Sequence, residues 1–221
     1  MQANSAFVKI GLVLVLALAA GSSVAQAKDN ALTLYAAYRD GGSFTDVNSG
    51  KELRIEASGA ASLSLDWRLD ASRQLQLFLS RQSSQMGTGQ ATPVPPGSVV
   101  PTKFPLRVTY LHLGGTSFLE GTIGQGVYLV GGLGATLFEP GVDGFENELR
   151  PSINLGIGYQ LPLGESVALR FEARGYATLV NSDSGVFCSG GCVISIKGDT
   201  VTQGDVQIGR ASCRERVYHP V

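Results

Sequence analysis

The stretch "VALRFEARGY", residues 167–176, alternates in chemistry from one residue to the next. Val167, Leu169, Phe171 and Ala173 fill one set of positions, and Arg170, Glu172 and Arg174 fill the other. A β-strand sends successive side chains to opposite faces. The segment therefore predicts a strand with one wholly apolar face and one that carries three charges. What meets each face decides the fold.

The same period recurs along the chain. In "GAASLSLDWRL", Ala61, Leu63, Leu65, Trp67 and Leu69 oppose Ser62, Ser64, Asp66 and Arg68. "RQLQLFLSRQ" sets Leu75, Leu77 and Leu79 against Gln74, Gln76, Phe78 and Ser80. "GVYLVGGLGATLF" (126–138) and "RPSINLGIGYQL" (150–161) alternate likewise, and "ALTLYAAYR" (31–39) does so more weakly. "PLRVTYLHLGG" (105–115) fits either phase. An eighth strand is expected after Ile196, in "IKGDTVTQGDVQIG". No stretch has a helical period.

Tight turns are predicted near 69–73, 117–125 and 161–167, and longer polar links at 40–58, 83–104, 139–149 and 180–197. Strands of about ten residues, joined alternately by short and long links, suit a membrane-crossing β-barrel. A soluble sandwich or lipocalin-like barrel also alternates, but its strands are usually shorter and its polar faces richer in lysine. The expected fold is all-β: an eight-stranded antiparallel up-and-down transmembrane β-barrel with short periplasmic turns and long extracellular loops. In that fold Val167, Leu169, Phe171 and Ala173 face acyl chains. Asp66, Arg68, Arg170, Glu172 and Arg174 are expected to form an interior charge network, because an arginine facing lipid at the midplane costs about 2–4 kcal/mol. Tyr35, Tyr38, Trp67, Tyr110, Phe138 and Tyr159 are candidates for the interfacial aromatic belts.

Residues 1–27 have the pattern of a secretory signal peptide: Lys9, an apolar run from Ile10 to Ala20, and Ala25-Gln26-Ala27 as the cleavage site. Residues 28–207 form the expected barrel, with 13 basic and 17 acidic side chains and no basic patch of the kind nucleic acid requires.

With leader, strands and links in place, the chain resembles the small eight-stranded outer-membrane proteins of Gram-negative bacteria, the outer membrane protein beta-barrel domain families related in plan to OmpA, OmpX and OmpW. "YLHLGGTSF" (110–118), "GVYLVGGLGATLF" (126–138) and "INLGIGYQLPLGESVALRFEARGYATL" (153–179) carry the resemblance. It implies residence in the cell outer membrane, outer-membrane lipid and lipopolysaccharide as surroundings, and the barrel-assembly machinery as a partner during biogenesis. No cofactor and no catalytic motif come with it. The group holds structural proteins, adhesins, small-solute channels and a few lipid-modifying enzymes, so fold alone does not choose among them.

Family members finish on a strand ending in an aromatic residue, whereas this chain ends "IGRASCRERVYHPV". Residues 208–217 equal the translation of a string that resembles a common sequencing adapter, so residues 208–221 are expected to be a non-native tail standing where the end of strand eight belongs. The alternative is a genuine basic tail.

Two further features carry chemistry. Cys188 and Cys192 flank three small residues, and nearby cysteines in an oxidising compartment usually pair as a disulfide. The rival is a metal site, for which two cysteines supply only two ligands. His112 is the one histidine outside the tail. Leu113 and Gly114 follow it, so the His-x-Ser arrangement of lipid A deacylases is absent, and a lumenal histidine satisfied by a neighbour is expected. The expected function is a non-enzymatic outer-membrane protein with a structural or surface-interaction role. A narrow solute channel and a lipid-modifying enzyme are the alternatives.

Overall fold

The computed structural model describes residues 30–46, 52–87, 103–142, 146–164, 166–180, 185–186, 194–197 and 200–214. The leader, Cys188, Cys192 and residues 215–221 lie outside these. Among the described residues, eight long strands make the wall: β1 (Asn30–Arg39), β2 (Ser58–Arg68), β3 (Arg73–Gly87), β4 (Lys103–Phe118), β5 (Gly126–Pro140), β6 (Glu148–Pro162), β7 (Val167–Leu179) and β8 (Thr200–Arg214). Each pairs antiparallel with its sequence neighbours, and β1 pairs with β8, so the sheet closes on itself. This is the expected eight-stranded up-and-down barrel. Closure gives every interior rung a partner, which a sheet in hydrocarbon requires.

A register row begun at Thr33 passes Ser64, Phe78, His112, Gly134, Ser152 and Thr178 and arrives at Val201, above the Asp205 that pairs with Arg39. The row thus returns about ten residues higher than it started, a stagger that goes with strongly tilted strands. Short strands extend the wall at the loop end. Ser43–Asp46 pairs with Glu52–Ile55, which joins β3, and Ile194–Lys197 pairs with Ser43–Asp46. Ile208–Arg214, within the stretch assigned to the tail, occupies the last rungs of β8 against β1, and its first part, as far as Ser212, also pairs with β7.

The faces follow the alternation. Leu133, Leu155, Leu161, Ile153, Ile157 and Phe171 lie exposed on the outer wall, while Arg170, Glu172 and Arg174 are buried inside. The ambiguous β4 takes the phase with Leu111 and Leu113 outward and Leu106, Val108, Tyr110 and His112 inward. Of the six belt candidates, Tyr38, Trp67 and Tyr159 are on the outer wall, but Tyr35, Tyr110 and Phe138 are buried in the lumen. The correction has a simple cause: parity places a residue, and those three share parity with Thr33, His112 and Thr136. Two glycines make room for such inward rings. A Cβ at Gly158 would stand 2.3 Å from the Tyr128 ring, and one at Gly209 would stand 2.4 Å from the Tyr35 ring.

The β2–β3 turn is closed by Leu69 N–H donating to the Arg73 carbonyl at 2.9 Å. Asp70 organises it, accepting from the backbone N–H groups of Ser72 (2.9 Å) and Arg73 (2.8 Å) and from Arg73 Nε (2.6 Å). These donors, the Ser72 N–H foremost, hold the Asp70 carboxyl down to about 2. A depressed carboxyl contributes stability that is present above its ordinary pKa and lost as pH falls through the folded value. The turn should therefore stay ordered at pH 4 and loosen as pH approaches 2. Carbon-detected NMR of the folded barrel checks this, and a titration midpoint near 4 for Asp70 would contradict it.

Candidate functional site

The lumen of a barrel this size is a narrow space that side chains can fill, and here it is built in layers. At the turn end Phe118, Tyr128 and Val130 pack together. At the loop end Met86, Phe104, Leu106, Val108, Phe138, Val180 and Val201 belong to one larger cluster, which reaches down to Tyr35 and Phe78. Between these apolar ends lie the charges.

The lower ionic layer contains most of the residues expected from the sequence. Arg170, 1% exposed, donates from Nη1 to Asp66 Oδ2 at 2.9 Å and from Nε to Gln160 Oε1 at 2.7 Å. Asp66 also accepts from Gln76 Nε2 (2.8 Å) and Ser64 Oγ (2.9 Å). Arg174 donates from Nε to Glu172 Oε1 (2.7 Å) and from Nη2 to Gln76 Oε1 (3.0 Å), with its guanidinium carbon 3.7 Å from the Phe78 ring centroid. Glu172 takes further bonds from Tyr128 OH (3.0 Å) and Gln207 Nε2 (2.5 Å). Gln76 links the two arginine–carboxylate pairs, accepting from Arg174 and donating to Asp66.

Arg68 is the exception. It is exposed, and its Nε donates to the Asp70 carbonyl at 3.1 Å. Although it shares parity with Asp66, it is the last residue of β2, where a long cationic side chain reaches water beyond the wall rather than entering the lumen.

A second ionic layer, absent from the sequence expectations, lies toward the loops. Arg39 is 0% exposed and donates to Asp205 Oδ2 through Nη2 (2.6 Å) and Nε (3.0 Å). The same Nη2 reaches Ser80 Oγ at 2.6 Å, and Tyr176 OH donates to Asp205 Oδ2 at 3.0 Å. The Tyr110 and Tyr176 rings stack with centroids 4.4 Å apart, and the Arg39 guanidinium lies 4.9 Å and 4.5 Å from their centroids. The parity of Arg39 and Asp205 was available, but not their meeting: Arg39 opens onto Asp205 only because β1 and β8 are rung partners in the closed sheet. His112 lies in the lumen with Nε2 2.9 Å from Ser152 Oγ. Among the described residues, these two layers pair three arginines with three carboxylates, so their charges balance. Such buried pairs roughly offset their own desolvation, so their presence is not by itself a source of net stability.

No family model matches the chain, and no curated protein matches it. Among solved structures it is similar to the outer membrane protein AlkL, determined by solid-state NMR in DMPC lipid bilayers, at 12% identity and a TM-score of 0.54, over 91% of this chain and 97% of AlkL. It is also similar to Neisserial surface protein A, at 11% identity and a TM-score of 0.49 over 85% of this chain and 98% of that one. A third similarity is to Ail, the attachment invasion locus protein of Yersinia pestis, at 12% identity and a TM-score of 0.41 over 84% of this chain and 99% of that one. At such identities the likeness is one of fold, and the AlkL comparison is the one that carries it. The chain has the fold of the small eight-stranded outer-membrane β-barrel proteins.

Proposed function

We propose that this is an exported protein of the cell outer membrane with a structural or surface-interaction role, its lumen serving as a packed core rather than as a conduit or a catalytic chamber. The observation that carries this reading is the charge balance of the two ionic layers. Arg39, Arg170 and Arg174 are each at most 2% exposed, and each is held by a carboxylate and by neutral partners. Apolar layers stand above and below them. A permeation path needs groups that exchange partners with passing solute, and these are committed to one another. The outward leucine and isoleucine faces support residence in a bilayer, and the alternating short and long connections support short turns on the periplasmic side and loops outside. The leader pattern supports export with cleavage after Ala27.

A second reading, a narrow channel, draws on a different observation. Arg39 Nη1, His112 Nδ1, Asn154 Nδ2, Asp205 Oδ1 and Gln207 Oε1 are buried without a protein partner. Groups of this kind ordinarily hold water.

Planar bilayers separate the two. The sealed reading expects no unitary current steps from the folded protein, and reproducible steps that vanish on boiling would establish the channel. The same preparation should fractionate with outer membranes and change gel mobility on boiling. Recovery as a soluble periplasmic species would overturn the membrane assignment.

A further inference from the structure

The outer wall is apolar through most of its height, but one sector of its loop end is not. On β3 the outward series Leu75, Leu77 and Leu79 is followed by Arg81, and on β4 the outward Leu113 and Leu111 are followed by Thr109 and Arg107. The Arg81 and Arg107 side chains are 54% and 46% exposed. Both reach the same carboxylate, Glu139 of β5, at 3.8 Å and 3.7 Å. Those distances are longer than the charge-assisted hydrogen bonds arginine makes with an oxyanion, which are about 2.7–2.9 Å. Two guanidiniums sharing one loosely held carboxylate leave a net positive charge with donors to spare. Lys103 stands further up the same strand, beside Glu56 at 2.5 Å. On β1, β6, β7 and β8 the outward residues toward this end include Tyr38, Leu149, Leu179 and Thr202, none of them cationic.

We propose that this sector is a headgroup site for a phosphorylated glycolipid of the outer leaflet, with Arg81 and Arg107 as the phosphate ligands and Lys103 at its upper edge. The inference rests on the outer-membrane reading above. An arginine rooted in the apolar band must extend its head toward the interface, and a phosphate there accepts from the planar guanidinium at two points. Arg107 and Lys103 are four positions apart on β4, a separation of about 13 Å along the strand. A row of cations that long suits a headgroup with more than one phosphate and exceeds the span of a single phosphodiester. The leucines directly below, Leu79 and Leu111, give the acyl chains of the same lipid an apolar wall.

The full chain in phosphatidylcholine nanodiscs doped with diphosphoryl lipid A, monophosphoryl lipid A or phosphatidylglycerol provides the test, read as lipid retained on the barrel by native mass spectrometry. Retention is expected to fall in that order. Arg81→Gln with Arg107→Gln should lower diphosphoryl lipid A occupancy about tenfold through the lost charge-assisted bonds. Glu139→Gln, which removes the competing carboxylate, should raise it, and it keeps the test alive if the double variant folds poorly. Unchanged retention in the inserted double variant, no gain with Glu139→Gln, or equal retention of phosphatidylglycerol would each overturn the site. A wild-type chain that fails to insert, scored by the gel-mobility change in the same samples, would overturn the membrane reading and the site together. Insertion with unaltered lipid selectivity overturns the site alone.

Discussion

Arg170→Leu is expected to destabilise the folded barrel by about 3–5 kcal/mol, the usual cost of removing one partner from a buried ion pair. Arg170 is 1% exposed, and its guanidinium supplies the only cation bonded to Asp66 among the described residues. Without it, Asp66 keeps only neutral donors, Gln76 and Ser64, at a position 1% exposed. Gln160 loses its donor as well. Glu172 is less affected, because Arg174, Tyr128 and Gln207 all bond to it. The loss is therefore assigned to the stranded Asp66, and this makes a second variant decisive. Arg170→Leu combined with Asp66→Leu removes both charges and should recover much of the stability. Urea titration in lipid vesicles, scored by gel mobility, measures both. A single variant within about 1 kcal/mol of wild type, at the level of a surface ion pair, would mean that the lumen admits enough water to solvate the carboxylate.

The outer face carries the second large effect. Leu133→Arg should cost about 2–4 kcal/mol, the penalty for a cation on the lipid face near the midplane of a barrel. Leu133 is 70% exposed, and its rung partners, Leu113 on β4 and Ile153 on β6, are apolar and outward too. No carboxylate stands opposite it on either strand. Leu161→Arg offers the internal comparison. Leu161 is near the end of β6, beside the Leu163–Val167 turn contact, where the penalty should shrink to about 0–1 kcal/mol. Equal costs at the two positions would argue against a bilayer surrounding the wall, since a soluble barrel has no depth gradient.

The two predictions draw on different parts of what was legible. The face of each residue was present in the sequence wherever the two faces differ in chemistry. "VALRFEARGY" placed Arg170, Glu172 and Arg174 inward and Phe171 outward from a period of two, because strand geometry allows no other arrangement. The same logic failed for "PLRVTYLHLGG", since both of its faces mix apolar with polar residues: Leu106, Val108, Tyr110 and His112 on one, Arg107, Thr109, Leu111 and Leu113 on the other. The loop-end half of the lumen is lined by Phe104, Leu106 and Val108, so the contrast that reveals phase is missing there. It also misplaced Tyr35, Tyr110 and Phe138, where residue type was allowed to outweigh parity.

Partnership across the lumen could not be obtained from any strand alone. Asp66 and Arg170 are 104 residues apart, and Arg39 and Asp205 are 166 apart. Which of them meet depends on where β1 joins β8 and on the stagger with which the sheet closes. A change in that stagger would keep every residue on its own face and yet give Arg39 a different rung partner. Alternation is local and is written residue by residue, so the sequence by itself determined strands, faces and the class of barrel. The pairing of buried charges depends on closure, a property of the whole sheet, and only the tertiary structure decided it.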